Sequence, residues 1–122
     1  MSYITLTDAN FQEEVLDSKQ PVLVEFLSAW SGLHHIMAPG LEETAEKYGK
    51  RVKFCRIDMY IYKDLAKEYS IQNVPTILLF KNGQLVDQIA DVTPKAVIAQ
   101  KLDALLGSGE RISRKVQDEN SK

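Results

Sequence analysis

Residues 21–34 read PVLVEFLSAWSGLH and carry the clearest signals of the fold. Pro21 precedes a nearly continuous apolar run from Val22 to Leu27, and such a run predicts a central strand covered by helices on both faces. Glu25 is the one charged residue of this run, so its carboxylate needs a structural or chemical explanation. The strand is expected to lead, through Ser31 and Gly32, into a helix.

The helix expected after Gly32 has a clear apolar stripe, formed by Met37, Leu41, Ala45 and Tyr48. These positions recur at helical spacing, which predicts that one face of the helix packs on the sheet. Pro39 falls inside it, where a proline removes one backbone donor, so a kink is expected there.

Strand and helix patterns alternate along the rest of the chain, in the order βαβαβαββα, which is typical of α/β proteins. Asn82-Gly83 predicts a tight hairpin between the last two strands, because both residues tolerate a left-handed backbone. The remaining segments are strands at 3–5, 52–58, 77–80 and 85–89, a helix capped by Thr7 or Asp8 around 11–16, a helix at 63–69 and a last helix from 94 to 106.

Composition predicts one ordinary domain, residues 1–106, followed by a polar and disordered tail, residues 107–122. The formal charge of −2 comes from 15 basic and 17 acidic residues that are interspersed, so neither a nucleic acid nor an anionic membrane is expected as a partner. No apolar run approaches the ~18 residues that span a bilayer. The N-terminus lacks a signal-peptide pattern, and the single Cys55 suits a reducing compartment, so a cytoplasmic location is expected.

At the end of the first central strand, Trp30-Ser31-Gly32-Leu33-His34 occupies the place of a known motif. Together with Met37-Ala38-Pro39, Val74-Pro75-Thr76 and Phe80-Lys81-Asn82-Gly83, it makes residues 3–106 resemble the thioredoxin family. The resemblance implies the thioredoxin fold, a three-layer α/β/α arrangement with a mixed central sheet.

The family's motif is Trp-Cys-Gly-Pro-Cys, so Ser31 and His34 stand at the two cysteine positions and Leu33 replaces the proline. Disulfide exchange needs a thiolate, and a serine hydroxyl stays protonated at neutral pH. We therefore expect no catalytic residue and no cofactor at this degenerate motif. Ser31 has a structural role available as the N-cap of the following helix.

His34 and Glu25 form the most informative departure from the family, because Glu25 matches its buried aspartate. We hypothesise that the two side chains pair and fill the vacated site, the alternative being a histidine that faces water. Metal binding by His34 and His35 is not expected, because neighbouring helical residues point about 100° apart.

The resemblance also implies a peptide groove, formed by Trp30 and by Val74-Pro75, the family's cis-proline loop. The family's third groove element is a glycine, and Asp91 stands there in this chain. A charged side chain at that position is expected to narrow the groove or to change its specificity.

The sequence thus favours a redox-inactive, thioredoxin-like protein that binds a protein or peptide partner in this groove, as a monomer or weak homo-oligomer. The alternative is a protein-disulfide oxidoreductase of cell redox homeostasis with atypical or residual activity, for example through Cys55. A third hypothesis is a homo-oligomeric or structural subunit whose contact is Tyr60 to Tyr62 or the C-terminal tail.

Overall fold

The computed structural model describes residues 3–29 and 32–107, without the side chains of Leu33 and His34. The predicted tail therefore lies outside the described residues from 108 onwards. In chain order the elements are β1 Ile4–Thr5, a π-helical segment Gln12–Leu16, β2 Val22–Leu27, α1 Gly32–Tyr48, β3 Lys53–Asp58, α2 Lys63–Glu68, β4 Thr76–Lys81, β5 Gln84–Ala90 and α3 Lys95–Gly107.

The five strands form one mixed sheet in the order β1-β3-β2-β4-β5. β1, β3 and β2 are parallel, whereas β4 runs antiparallel to β2 and β5 antiparallel to β4. The run from Val22 to Leu27 is therefore the middle strand, and all but its last residue are buried. The predicted α/β class and mixed sheet are confirmed.

Alternation along the strands divides the core into two layers, one on each face of the sheet. Leu23 and Phe54 pack beneath α1 and α3, together with Met37, Leu41, Ile98 and Leu102 of those helices. Val24 and Phe26 face the other way, towards Phe11, Val15 and Ala66. The apolar stripe predicted for the first long helix is thus the face that packs on the sheet.

The first helix differs in detail from the sequence pattern. The first helix is a π-helical segment, in which the Asp17 N–H donates to the Gln12 carbonyl at 2.8 Å. Its N-cap residue is Phe11, which makes no side-chain capping bond, so neither Thr7 nor Asp8 is the cap; the Thr7 hydroxyl instead accepts the N–H groups of Ala9 and Asn10 at 3.1 and 3.2 Å in the preceding turn. α1 contains Pro39 within its length, and the kink expected there stays a prediction.

The predicted hairpin turn is confirmed, since Lys81 pairs with Gln84 across Asn82 and Gly83. Both turn residues have positive φ, 55° and 77°, as a two-residue type I′ turn requires. Among the described helices, none combines the length and the apolar character needed to cross a membrane.

Candidate functional site

The sheet register brings three chain segments to one edge of the molecule. Phe26 near the end of β2 pairs with Thr76 at the start of β4, and Thr76 pairs with Ala90 at the end of β5. The segments that follow β2, precede β4 and follow β5 therefore meet side by side. These segments contain the degenerate motif, the Val74-Pro75 loop and Asp91.

The Val74-Pro75 loop carries a cis peptide bond before Pro75. The Thr76 hydroxyl donates to the Asn73 carbonyl at 2.7 Å, and the Asp91 N–H donates to the Pro75 carbonyl at 2.9 Å. Pro75 is buried and Val74 is half-buried. These two hydrogen bonds hold the loop at both of its ends. The second comes from Asp91, which the sequence analysis expected in the same groove.

Asp91 has a left-handed backbone, with φ at 71°. Its carboxylate Oδ1 accepts the N–H of Val92 at 2.7 Å, and the Thr93 hydroxyl donates to its carbonyl at 3.1 Å. A glycine adopts this conformation without steric cost, whereas an aspartate must offset it with such local hydrogen bonds. The exposed acidic side chain therefore stands where the chain geometry favours a glycine.

The motif itself is only partly described. α1 begins at Gly32, which is exposed and has open space where a Cβ would stand. Trp30 and Ser31 lie outside the described residues, and Leu33 and His34 are described only as backbone in the first turn. The Ser31 cap and the pairing of Glu25 with His34 consequently remain predictions.

Glu25 is fully buried in β2, on the sheet face that α1 and α3 cover. Its direct neighbours across the sheet are Arg56 on β3 and Ile77 on β4. The guanidinium of Arg56 in turn lies over the ring of Tyr3, 3.9 Å from the ring centroid. The sequence analysis identified Glu25 but missed Arg56 and Tyr3. Arg56 could have been found by the same signal as Glu25, because each is a charged residue within a largely apolar strand.

Cys55 lies on the opposite face of the sheet from Glu25 and is fully buried. Burial is the main cause that raises the pKa of its thiol from 9.0 to about 12, with the charge of Glu14 adding to it and that of Lys53 opposing it. A protonated, inaccessible thiol is a poor nucleophile. The arrangement thus disfavours redox chemistry through Cys55.

Metal ligation finds no support in the described part of the chain. Across residues 3–29 and 32–107, no three side chains of the His, Cys, Asp and Glu types come together as a ligand set. At this edge of the sheet the described residues contribute the backbone of the Val74-Pro75 loop and the exposed carboxylate of Asp91.

Comparison with known proteins gives consistent matches over almost the whole chain. A family model described as Thioredoxin matches residues 2–104. The chain is 39% identical to "Thioredoxin 1" of Synechococcus elongatus over 98 residues, which cover 80% of this chain and 92% of that protein. It is 36% identical to "Thioredoxin" of Chlorobaculum thiosulfatiphilum over 105 residues, covering 86% and 97%.

Proposed function

The chain belongs to the thioredoxin family, and on that premise we propose that it is a redox-inactive member that binds a protein or peptide partner through the former active-site groove. The proposal rests on one observation, which is that the chain keeps the family's fold but lacks the two cysteines of its motif. The register and the anchored loop hold the groove segments together, while Ser31 and His34 stand where the family has its cysteines.

The loss of dithiol chemistry follows from the residue types. A protein that reduces disulfides attacks with a thiolate and resolves the mixed disulfide with a second thiol. Ser31 has no thiolate form, and the imidazole of His34 forms no disulfide. The remaining thiol, Cys55, is buried with a raised pKa on the other face of the sheet.

What the groove offers instead is a surface for an extended segment. The cis-Pro75 loop is fixed by Thr76 and by the backbone of Asp91, so its geometry is preorganised. A preorganised backbone edge binds an extended peptide through main-chain hydrogen bonds, with neighbouring pockets selecting its side chains. Binding then requires no covalent step.

An assay of insulin reduction by dithiothreitol tests the proposal that the chain is redox-inactive. The parent chain is expected to leave the rate at its protein-free value, whereas the double variant Ser31→Cys plus His34→Cys is expected to accelerate it, because the chain keeps the family's fold. Acceleration by the parent would contradict redox inactivity. A folded double variant without activity would contradict the retained frame.

The rival function is a disulfide oxidoreductase with residual activity, as the names of the relatives suggest. If the parent accelerates insulin reduction, Cys55→Ala decides the route, because it removes the one thiol. Reaction with Ellman's reagent gives a second check. We expect Cys55 to react only after unfolding in guanidinium chloride, and rapid reaction of the native chain would favour the rival.

A further inference from the structure

A cleft lies beside the groove, between α1 and the segment that joins β5 to α3. Its volume is about 390 Å³. The walls are mostly apolar, and they come from two stretches of chain more than 50 residues apart in sequence, residues 36–41 and 92–98.

Two exposed apolar side chains line this cleft from its two sides. Ile36 on α1 is 65% exposed and Val92 after β5 is 38% exposed, while Met37, Leu41 and Ile98 are buried core residues that also line it. Exposed aliphatic groups that line one concave surface are typical of a binding site, because a ligand side chain removes both from water at once.

Gly40 keeps the cleft open where α1 approaches α3. A Cβ at this position would stand 3.3 Å from the Cβ of Lys95, so a larger residue would close this part of the cleft. The ammonium of Lys95 is paired with the carboxylate of Glu43 on α1. The positive charge at this side of the cleft is therefore already neutralised.

The cleft continues the groove through Asp91. The backbone of Asp91 binds the Pro75 carbonyl at 2.9 Å, and the next residue, Val92, lines the cleft. Within residues 3–29 and 32–107, no cation lies within ion-pair distance of the exposed Asp91 carboxylate. A ligand that passes from the loop to the cleft meets this negative charge on its way.

We propose that the cleft is a subsite of the peptide groove that takes a large aliphatic side chain of the partner, with an adjacent Lys or Arg pairing with Asp91. This inference rests on the proposed function. The occupant is a segment of another protein, because the exposed Asp91 borders an apolar cleft that adjoins the Val74-Pro75 loop.

The probe is a phage-displayed library of random dodecapeptides, selected against the full chain under reducing conditions. Selected peptides are expected to share a Leu, Ile, Met or Phe next to a Lys or Arg. Their dissociation constants are then measured by fluorescence anisotropy. Ile36→Lys is expected to weaken binding at least tenfold, which corresponds to about 1.4 kcal/mol.

Ile61→Lys is the matched control, because Ile61 is 68% exposed on a different surface and undergoes the same change. It is expected to bind like the parent. Asp91→Lys is expected to weaken binding of the basic peptide and to favour a peptide in which the basic residue is replaced by Glu. That reversal of preference separates charge pairing from a general loss of structure.

Three results would overturn the subsite. The first is unchanged binding by Ile36→Lys. The second is a consensus without an aliphatic-basic pair, and the third is a dimer that Ile36→Lys dissociates, which light scattering would reveal and which would assign the cleft to a second copy. If the groove itself does not bind the peptide, Pro75→Ala also leaves the dissociation constant unchanged. If Pro75→Ala weakens binding but Ile36→Lys does not, the groove stands and only the cleft is rejected.

Discussion

Arg56 stands over the ring of Tyr3, with its guanidinium carbon 3.9 Å from the ring centroid. The same arginine is the direct strand neighbour of the buried Glu25. Burial and the charge of Glu25 raise the pKa of the Tyr3 hydroxyl, while the charge of Arg56 opposes them. Arg56 thus links the neutral ring of Tyr3, next to the edge strand β1, to the buried Glu25 in the middle strand of the sheet.

Arg56→Leu is expected to lower the free energy of unfolding by about 3 kcal/mol, because it leaves the buried Glu25 without the neighbouring cation. Arg56→Lys, which keeps the charge but loses the planar group over Tyr3, is expected to cost about 1 kcal/mol. Urea unfolding followed by circular dichroism measures both. Equal stability of Arg56→Leu and the parent would contradict the role given to Arg56.

Gly83→Ala is expected to destabilise the fold by about 2 kcal/mol or more, since a left-handed backbone is costly for any residue with a Cβ. Gly83 has φ at 77°, and a Cβ there would stand 2.7 Å from the Leu16 carbonyl oxygen. Gly32→Ala is the control, because open space surrounds that position. Thermal unfolding of the two variants gives the comparison, and equal melting temperatures would count against the described turn.

Stability is expected to fall at alkaline pH because of Cys55. Its unfolded thiol loses its proton around pH 9.0, whereas the folded thiol keeps it until about pH 12. The folded state therefore binds more protons in this window, so the stabilisation is complete below the lower value and is lost as the pH rises towards the upper one. Thermal melts between about pH 8 and pH 11 give the slope of stability against pH.

Cys55→Ala is the control for that slope, because it removes the titrating thiol. Its stability is expected to fall less steeply with pH than that of the parent, whatever its stability at neutral pH. Tyr3 retains part of the effect, because burial also raises the pKa of its hydroxyl. Parallel slopes for parent and Cys55→Ala would show that the thiol is not protected by the fold.

Much of the fold could be predicted because its signals are local. A continuous apolar run marks β2, and Asn82-Gly83 marks the hairpin. The proline loop and the anchored position of Asp91 could be inferred only from the resemblance to the thioredoxin family. No local pattern of the sequence places residues 75 and 91 side by side.

The parts that sequence missed depend on packing between distant segments. Ile36 lies outside the apolar stripe of α1, so its exposure was foreseeable, but its place in a cleft with Val92 follows from how α1 and the β5–α3 segment meet. The neighbours of Glu25 were missed for the same reason. Arg56 lies opposite Glu25 only once the parallel register of β2 and β3 is known.

The groove is expected to bind its partner without a covalent step. The dissociation constant of a selected peptide is determined by anisotropy in excess dithiothreitol, for the full chain and for Pro75→Ala checked by circular dichroism. Binding is expected to persist in the reductant, and Pro75→Ala is expected to weaken it at least tenfold, about 1.4 kcal/mol. Binding that dithiothreitol abolishes, or that the folded Pro75→Ala variant retains in full, would contradict this expectation.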